Sequence, residues 1–251
     1  MLCYFRALGI TMGLMLVSTN LFAHASVLAK DNIDKFTGRD YEEGKTAFLQ
    51  FHLSHGCRNS TSTKYFATKH VTIVFPNNNN LKGLTLTKDS SGNEYAGNAM
   101  MSIKPAVNPI WDKIKISTAT VPGYYSHGVK STDVRGIKWL GGKVPNEMYS
   151  NLSVKASLPL LRACVARLKV YVPIVQYCKN GQVLAWLKKS TPSFPASVIS
   201  TGYAPSFTVL RNLTNNPLPE NCSNEGETVE VYPSEKDIEQ YLPHKSLHSR
   251  H

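Results

Sequence analysis

Short segments in which polar and apolar residues alternate recur along most of the chain, and they limit its possible folds more than any other feature. Clear examples are residues 69–75 and 113–117. Further segments of this kind are residues 46–51, 84–87, 136–139, 152–156 and 168–172. Turn residues separate them, as in the break at residues 76–80, and only residues 160–167 have a composition that favours a helix. Many short strands between turns predict an all-β sandwich or barrel.

The amino terminus has the composition of a secretory signal peptide. Arg6 precedes an apolar run over residues 7–16, and small residues follow at Ala23 and Ala25. The run is shorter than the about 20 apolar residues that a membrane span needs. We therefore predict that residues 1–23 are removed as a signal peptide, and that the protein is secreted or periplasmic without stable membrane insertion. Cleavage after Ala25 satisfies the same rule equally well.

The chain is basic, with a formal net charge of +11. Residues 1–23 contain one cation, Arg6, and no acid, so removing them lowers this charge to +10. A basic protein is compatible with anionic membrane headgroups or polyanions. The cations are scattered, however, and the longest basic run is Lys188 and Lys189. We therefore predict no nucleic-acid partner.

Four cysteines remain after removal of the signal peptide: Cys57, Cys164, Cys178 and Cys222. An even number in an exported chain predicts two disulfides, and the sequence alone leaves their pairing open. After Leu210 the composition changes to Asn, Pro, Glu and Ser. We therefore predict one domain over residues 24–210 and an extended tail over residues 211–251, which a disulfide at Cys222 could pin.

Two motifs in the second half of the chain are specific in combination. Trp-x-Gly-Gly-x-x-Pro occupies residues 139–145, and Val-Pro-x-Val-Gln-x-Cys occupies residues 172–178. Other matching positions are Glu43-Gly44, His55-Gly56-Cys57, residues 60–63 and 71–76, Trp111, Leu158-Pro159, Gly181 and Trp186. From about residue 23 to about residue 210, the chain resembles the YcnI-like family of exported copper-binding domains.

The resemblance implies a cupredoxin-like or Ig-like two-sheet β-sandwich, in agreement with the alternation of the strands. It also implies that Cys57 pairs with Cys178. Cys164 and Cys222 would then form a second disulfide that ties down the tail.

The resemblance further implies copper as the bound cofactor or cargo. In that family the mature chain begins with a histidine that holds copper in a mono-histidine brace, and His24 would become this residue after cleavage at Ala23. A terminal amine and the Nδ1 atom of one histidine suit the nitrogen-rich tetragonal sites that Cu(II) prefers. A carboxylate completes the site, for which we select Asp31. The segment between His24 and His55 is longer than in the family, so other acids remain candidates: Asp34, Glu42 and Glu43.

Trp139 matches the tryptophan that the family keeps beside its copper. It would shield one face of the metal without donating to it. The alternative is a tryptophan of the sandwich core that packs on a disulfide.

These features favour a copper chaperone or scavenger over an enzyme. The expected partners are the copper ion and a recipient, either a membrane copper transporter or an exported copper enzyme. The chain has no P-loop, dinucleotide-binding fingerprint, His-Glu-x-x-His or Gly-x-Ser-x-Gly motif. The rival hypothesis is a metal-free structural or interaction module, and a mature chain that starts at Ser26 would favour it.

Histidines outside the brace form no convincing metal site in the sequence. His52 and His55 are three residues apart, so on a strand they would point to opposite faces. The carboxyl-terminal histidines stand in a tail that we expect to be solvated. They are His244, His248 and His251.

Overall fold

The computed structural model describes residues 37–53, 55–58, 65–77, 81–126, 128–188 and 202–241. Strands dominate these residues, and one short helix lies near their carboxyl end. The strands are β1 Thr37–Glu42, β2 Thr46–Leu53, β3 Cys57–Arg58, β4 Tyr65–Phe66, β5 Thr68–Val74, β6 Thr85–Lys88, β7 Glu94–Ala96, β8 Met101–Pro105, β9 Lys113–Ser126, β10 Val129–Val144, β11 Ser150–Ser157, β12 Leu160–Leu161, β13 Val165–Tyr171, β14 Ile174–Cys178, β15 Val183–Lys188, β16 Gly202–Tyr203, β17 Ser206–Leu210 and β18 Glu227–Val231. The helix is α1 Glu235–Tyr241.

The strands form an all-β sandwich, as predicted. The largest sheet has six strands in the order β16-β15-β14-β5-β10-β9. A four-stranded sheet, β1-β17-β13-β18, and a three-stranded sheet, β2-β11-β8, contribute to the same hydrophobic core. Two smaller sheets, β12-β6-β7 and β3-β4, flank them. The described residues therefore divide into more sheets than the expected two.

The alternation in β2 shows why the sequence pattern predicts this fold. Ala47, Leu49 and Phe51 are buried in the core, whereas Gln50 between them is exposed. Successive side chains of a strand point to opposite faces, so a period of two places one set inside and the other outside. The same rule applies to β5, where Val71 and Ile73 enter the core.

The segment with helix-favouring composition, residues 160–167, forms no helix. It contains β12, a turn and the start of β13. Leu161 and Val165 are both buried in the core. Burial of these side chains outweighs the weak helix propensity of so short a segment.

The predicted extended tail is corrected for residues 227–241. Strand β18 pairs in parallel with β13 and buries Val231 in the main core. Ile238 of α1 is buried in a second cluster with Val74, Val175, Ala185 and Leu187, on the other side of the six-stranded sheet. The polar composition of this part of the chain gave no sign of its packing. Without β18, β13 would be an edge strand with unpaired backbone groups, so β18 can pair with it even though it buries few apolar side chains. Residues 242–251, including the carboxyl-terminal histidines, lie outside the described residues.

Candidate functional site

Strand β1 is the first described strand of the chain. Its first residue, Thr37, lies opposite Ser206 on β17, and Ser206 lies opposite Tyr171 on β13. A turn at residues 43–45 leads into β2, and the Tyr41 hydroxyl donates to the Phe48 carbonyl oxygen at 3.4 Å across it. The start of β1 is therefore held in the four-stranded sheet.

A disulfide fixes the loop that follows β2. Cys57 and Cys178 are bonded, with their Cα atoms 5.8 Å apart. Gln176, on the same strand as Cys178, is buried and donates from Nε2 to the His55 carbonyl oxygen at 3.1 Å and to the Thr68 hydroxyl. The cystine and this amide together hold residues 55–57 against the six-stranded sheet. Both disulfides that the resemblance implied are present, since Cys164 and Cys222 are also bonded.

The glycines of the Trp-Gly-Gly motif permit close packing of the loop before β9. A Cβ atom on Gly142 would lie 2.2 Å from Cε3 of Trp111, and one on Gly141 would lie 2.0 Å from Oδ2 of Asp112. Gly141 also has a φ of 74°, in the left-handed region that favours glycine. The two glycines therefore let the loop that carries Trp111 pack directly on β10.

Trp139 is a core residue of the six-stranded sheet. Its side chain is 1% exposed, and it lies opposite Val71 on β5 and Ile114 on β9. This position fits the alternative that Trp139 is a tryptophan of the sandwich core. Its role beside copper stays a prediction, because the two predicted ligands, His24 and Asp31, lie outside the described residues. The predicted signal peptide, residues 1–23, also lies outside them.

The described histidines have separate partners. His52 contacts Oδ1 of Asn151 through Nδ1 at 2.8 Å, and its ring lies 5.2 Å from that of Tyr149. His70 accepts a hydrogen bond at Nδ1 from the Gly141 backbone at 3.1 Å. The exposed His55 contacts the carbonyl oxygen of the next residue. In the part of the chain that is described, no three His, Cys, Asp or Glu side chains converge as a metal site.

Two of the alternative carboxylates, Glu42 and Glu43, lie at the end of β1. Glu43 is 3% exposed and accepts backbone hydrogen bonds from Leu161 at 2.5 Å and Asn212 at 2.9 Å. The Asn216 amide donates to both of its oxygens, at 2.9 and 3.0 Å. Glu43 thus has a structural role, whereas Glu42 is exposed. Asp31 and Asp34 lie outside the described residues.

A cleft of about 780 Å³ opens beside Glu43. Charges of both signs line it, among them Lys88, Glu94 and Arg162. Glu94 forms ion pairs with Arg162 and with Lys88, and the hydrogen bond from Arg162 is the main reason why the pKa of Glu94 is lowered. This cleft has no feature of a copper site, and sequence patterns gave no sign of it.

A second polar cluster lies under α1 and was also missed by the sequence. Asp133 forms an ion pair with Arg135 at 2.6 Å and accepts from the Asn98 amide at 3.0 Å. Burial raises the pKa of Asp133 despite the neighbouring guanidinium. Burial and the Asp133 charge raise the pKa of Tyr124, whose hydroxyl has no hydrogen-bond partner among the described residues. The side chain of Asn77 links this region to α1 through a hydrogen bond to Asp237.

No helix in the described residues has the length and apolar character that a membrane span requires.

Comparison with known proteins gives a match to a sequence family and similarity to solved structures. No curated protein sequence matches the chain. A crystal structure of an uncharacterized protein from Nocardia farcinica, described as having an immunoglobulin-like fold, shares 16% sequence identity with a TM-score of 0.39. That similarity covers 68% of this chain and 92% of the other. Residues 95–201 match the family model described as Domain of unknown function (DUF1775), which is the domain of the YcnI-like family.

Proposed function

We propose that the protein is an exported copper-binding protein, a chaperone or scavenger that holds Cu(II) through the amine and imidazole of His24. The observation that carries the proposal is the family match over residues 95–201. That segment contains both motifs on which the resemblance rests, residues 139–145 and 172–178. Asp31 supplies the carboxylate in this proposal, and Trp139 shields one side of the ion.

The two disulfides support export, because such bonds persist in oxidising compartments. The proposed site requires export, because cleavage of the signal peptide creates the free amine of His24.

The proposed role is transport of the ion. A brace built on one histidine provides few strong protein ligands, so the ion can pass to a recipient by ligand exchange. The recipient in this proposal is a membrane copper transporter or an exported copper enzyme. No catalytic step is proposed for the protein.

The test is a Cu(II) titration of matched amino termini, after mass spectrometry has identified the first residue of the exported chain. We expect export to produce a chain that starts at His24 and binds about one copper ion, as a single brace requires. Acetylation of the terminal amine of this chain keeps the imidazole and removes the amine as a donor. The acetylated chain should lose tight binding, as should His24→Ala.

His55→Ala is the control, because it removes an exposed histidine outside the brace and should leave the affinity intact. Equal binding by the acetylated chain would rule out the brace. Tight binding by His24→Ala together with its loss in His55→Ala would move the site to the loop before Cys57. Export as a chain that starts at Ser26 would remove the predicted ligand altogether.

A further inference from the structure

Three lysines lie together on the outer face of the six-stranded sheet, at the edge formed by β9 and β10. Lys138 stands directly opposite Lys115, and Lys113 stands opposite Leu140. Trp139 points into the core, so its neighbour Lys138 points outward, and its cross-strand partner Lys115 shares that face. Lys113 follows the same period of two. We call these three residues the lysine face.

The lysine face carries unneutralised charge. Ion pairs in the described residues involve other cations: Lys45, Lys88, Arg135, Arg162 and Lys169. Like charges directly opposite each other on an antiparallel pair destabilise the sheet. Lys104 and Lys155 form a similar pair on the three-stranded sheet, but there the Lys155 ammonium lies 5.9 Å from the centre of the Phe48 ring. The lysine face has no such described partner.

The charges on this side of the six-stranded sheet are separated. Helix α1 covers Val74 on β5 and Val175 on β14. It carries one lysine, Lys236, against three acids, Glu235, Asp237 and Glu239, and is therefore acidic. The lysine face occupies the other part of the sheet, at the β9 edge. An anionic surface would therefore attract the β9 edge and repel the helix, which defines one orientation for docking.

We propose that the lysine face docks the protein on a membrane surface rich in anionic phospholipid headgroups. All three cations are lysines, which act as compact point charges, whereas arginine is favoured where carboxylates are recognised by paired hydrogen bonds. Cross-strand register keeps the Cα atoms of Lys115 and Lys138 about 5 Å apart. Lysines this close together concentrate positive charge without a fixed hydrogen-bonding geometry. This arrangement suits a surface of many phosphates better than it suits a single acidic side chain. The proposal is independent of copper binding.

The test is sedimentation of the mature protein with vesicles of phosphatidylcholine alone and of phosphatidylcholine mixed with phosphatidylglycerol. We expect binding only to the anionic vesicles, and a steep loss of binding as salt is added. Lys113→Gln, Lys115→Gln and Lys138→Gln together should weaken binding on the order of 100-fold, because each lysine near such a surface contributes comparably. The double variant at the two exposed positions, 113 and 115, should weaken it about 30-fold.

The matched control changes three exposed lysines elsewhere: Lys82→Gln, Lys104→Gln and Lys155→Gln. It lowers the net charge by the same amount and should keep most of the binding. Equal losses in the two triple variants would overturn the proposal, since net charge alone would then explain binding. Failure of the unmodified protein to bind anionic vesicles would also overturn it. Binding to polyglutamate without binding to vesicles would assign the lysine face to an acidic protein instead.

Discussion

Glu43 and Asp133 are equally hidden from solvent, each 3% exposed, but the protein accommodates them in different ways. Glu43 receives hydrogen bonds from two backbone amides and one asparagine. Asp133 depends on Arg135 and on the Asn98 amide. The pKa of Asp133 is raised, so its few partners do not compensate for burial. The number and direction of hydrogen bonds decide whether a buried carboxylate is well accommodated.

The arginines near these two carboxylates also differ in how many of their N–H groups find a hydrogen-bond acceptor. Arg211, near Glu43, donates to the carbonyl oxygens of Ala163, Val165, Asn216 and Pro217. Arg135 leaves its Nη1 atom without a hydrogen-bond partner among the described residues. We conclude that the Glu43 cluster stabilises the folded domain, whereas the Asp133 cluster contributes less to its stability.

Among the substitutions that compare the two clusters, Glu43→Ala should destabilise the protein most. It leaves the amides of Leu161 and Asn212 buried without their acceptor, and we expect the free energy of unfolding to fall by about 3–4 kcal/mol. Glu42→Ala is the control, because Glu42 is exposed and accepts one side-chain bond from Asn212. That control should cost under about 1 kcal/mol. Urea unfolding of both variants measures the difference. Equal losses of unfolding free energy would contradict a stabilising role for Glu43.

Arg135→Met should have an intermediate effect. It removes the cation beside Asp133, but the raised pKa of this carboxyl lets it take up a proton and so limits the cost to about 2 kcal/mol. The double variant with Asp133→Asn removes both charges and should unfold within about 1 kcal/mol of the natural protein. A double variant much less stable than the natural protein would show that the ion pair stabilises the fold.

The smallest effect concerns pH. The pKa of Asp133 is higher in the folded protein than in the unfolded chain, so the folded state binds this proton more readily. Its stabilising contribution is complete below the unfolded value and is lost as the pH rises through the folded value. Unfolding measured across mildly acidic pH should show this component, and Asp133→Asn should lack it. An unchanged pH profile in that variant would assign the component to another group.

Periodicity predicted those strands that have one side in the core. β2 is the clearest example, because buried and less buried residues alternate along it. In β5 both faces become buried after His70, since Val71 and Ile73 face the main core and Val74 lies in the cluster with Ile238 of α1. β9 and β10 extend well beyond the predicted segments, over residues 118–126 and 129–135, where many side chains are polar. Alternation of polar and apolar residues is the signal of a half-buried strand, and buried polar residues such as Asp133 and Arg135 interrupt it.

The candidate site was less accessible to sequence reasoning. The pairing of Cys57 with Cys178 came from the resemblance, since four cysteines fix no connectivity. Glu43 was a candidate ligand, but its backbone donors lie 118 and 169 residues away along the chain. No local pattern reveals partners at such separations. Nor could composition show that α1 would cover part of the six-stranded sheet.

The pairing of β1 with β17 sets an order on folding. Thr37 lies opposite Ser206, so the first described strand has its place in the four-stranded sheet only after most of the chain has been made. Strand β18 then closes the other edge of that sheet. Contacts between such distant segments slow folding. A growing chain therefore holds β1 unpaired in this sheet until β17 has emerged.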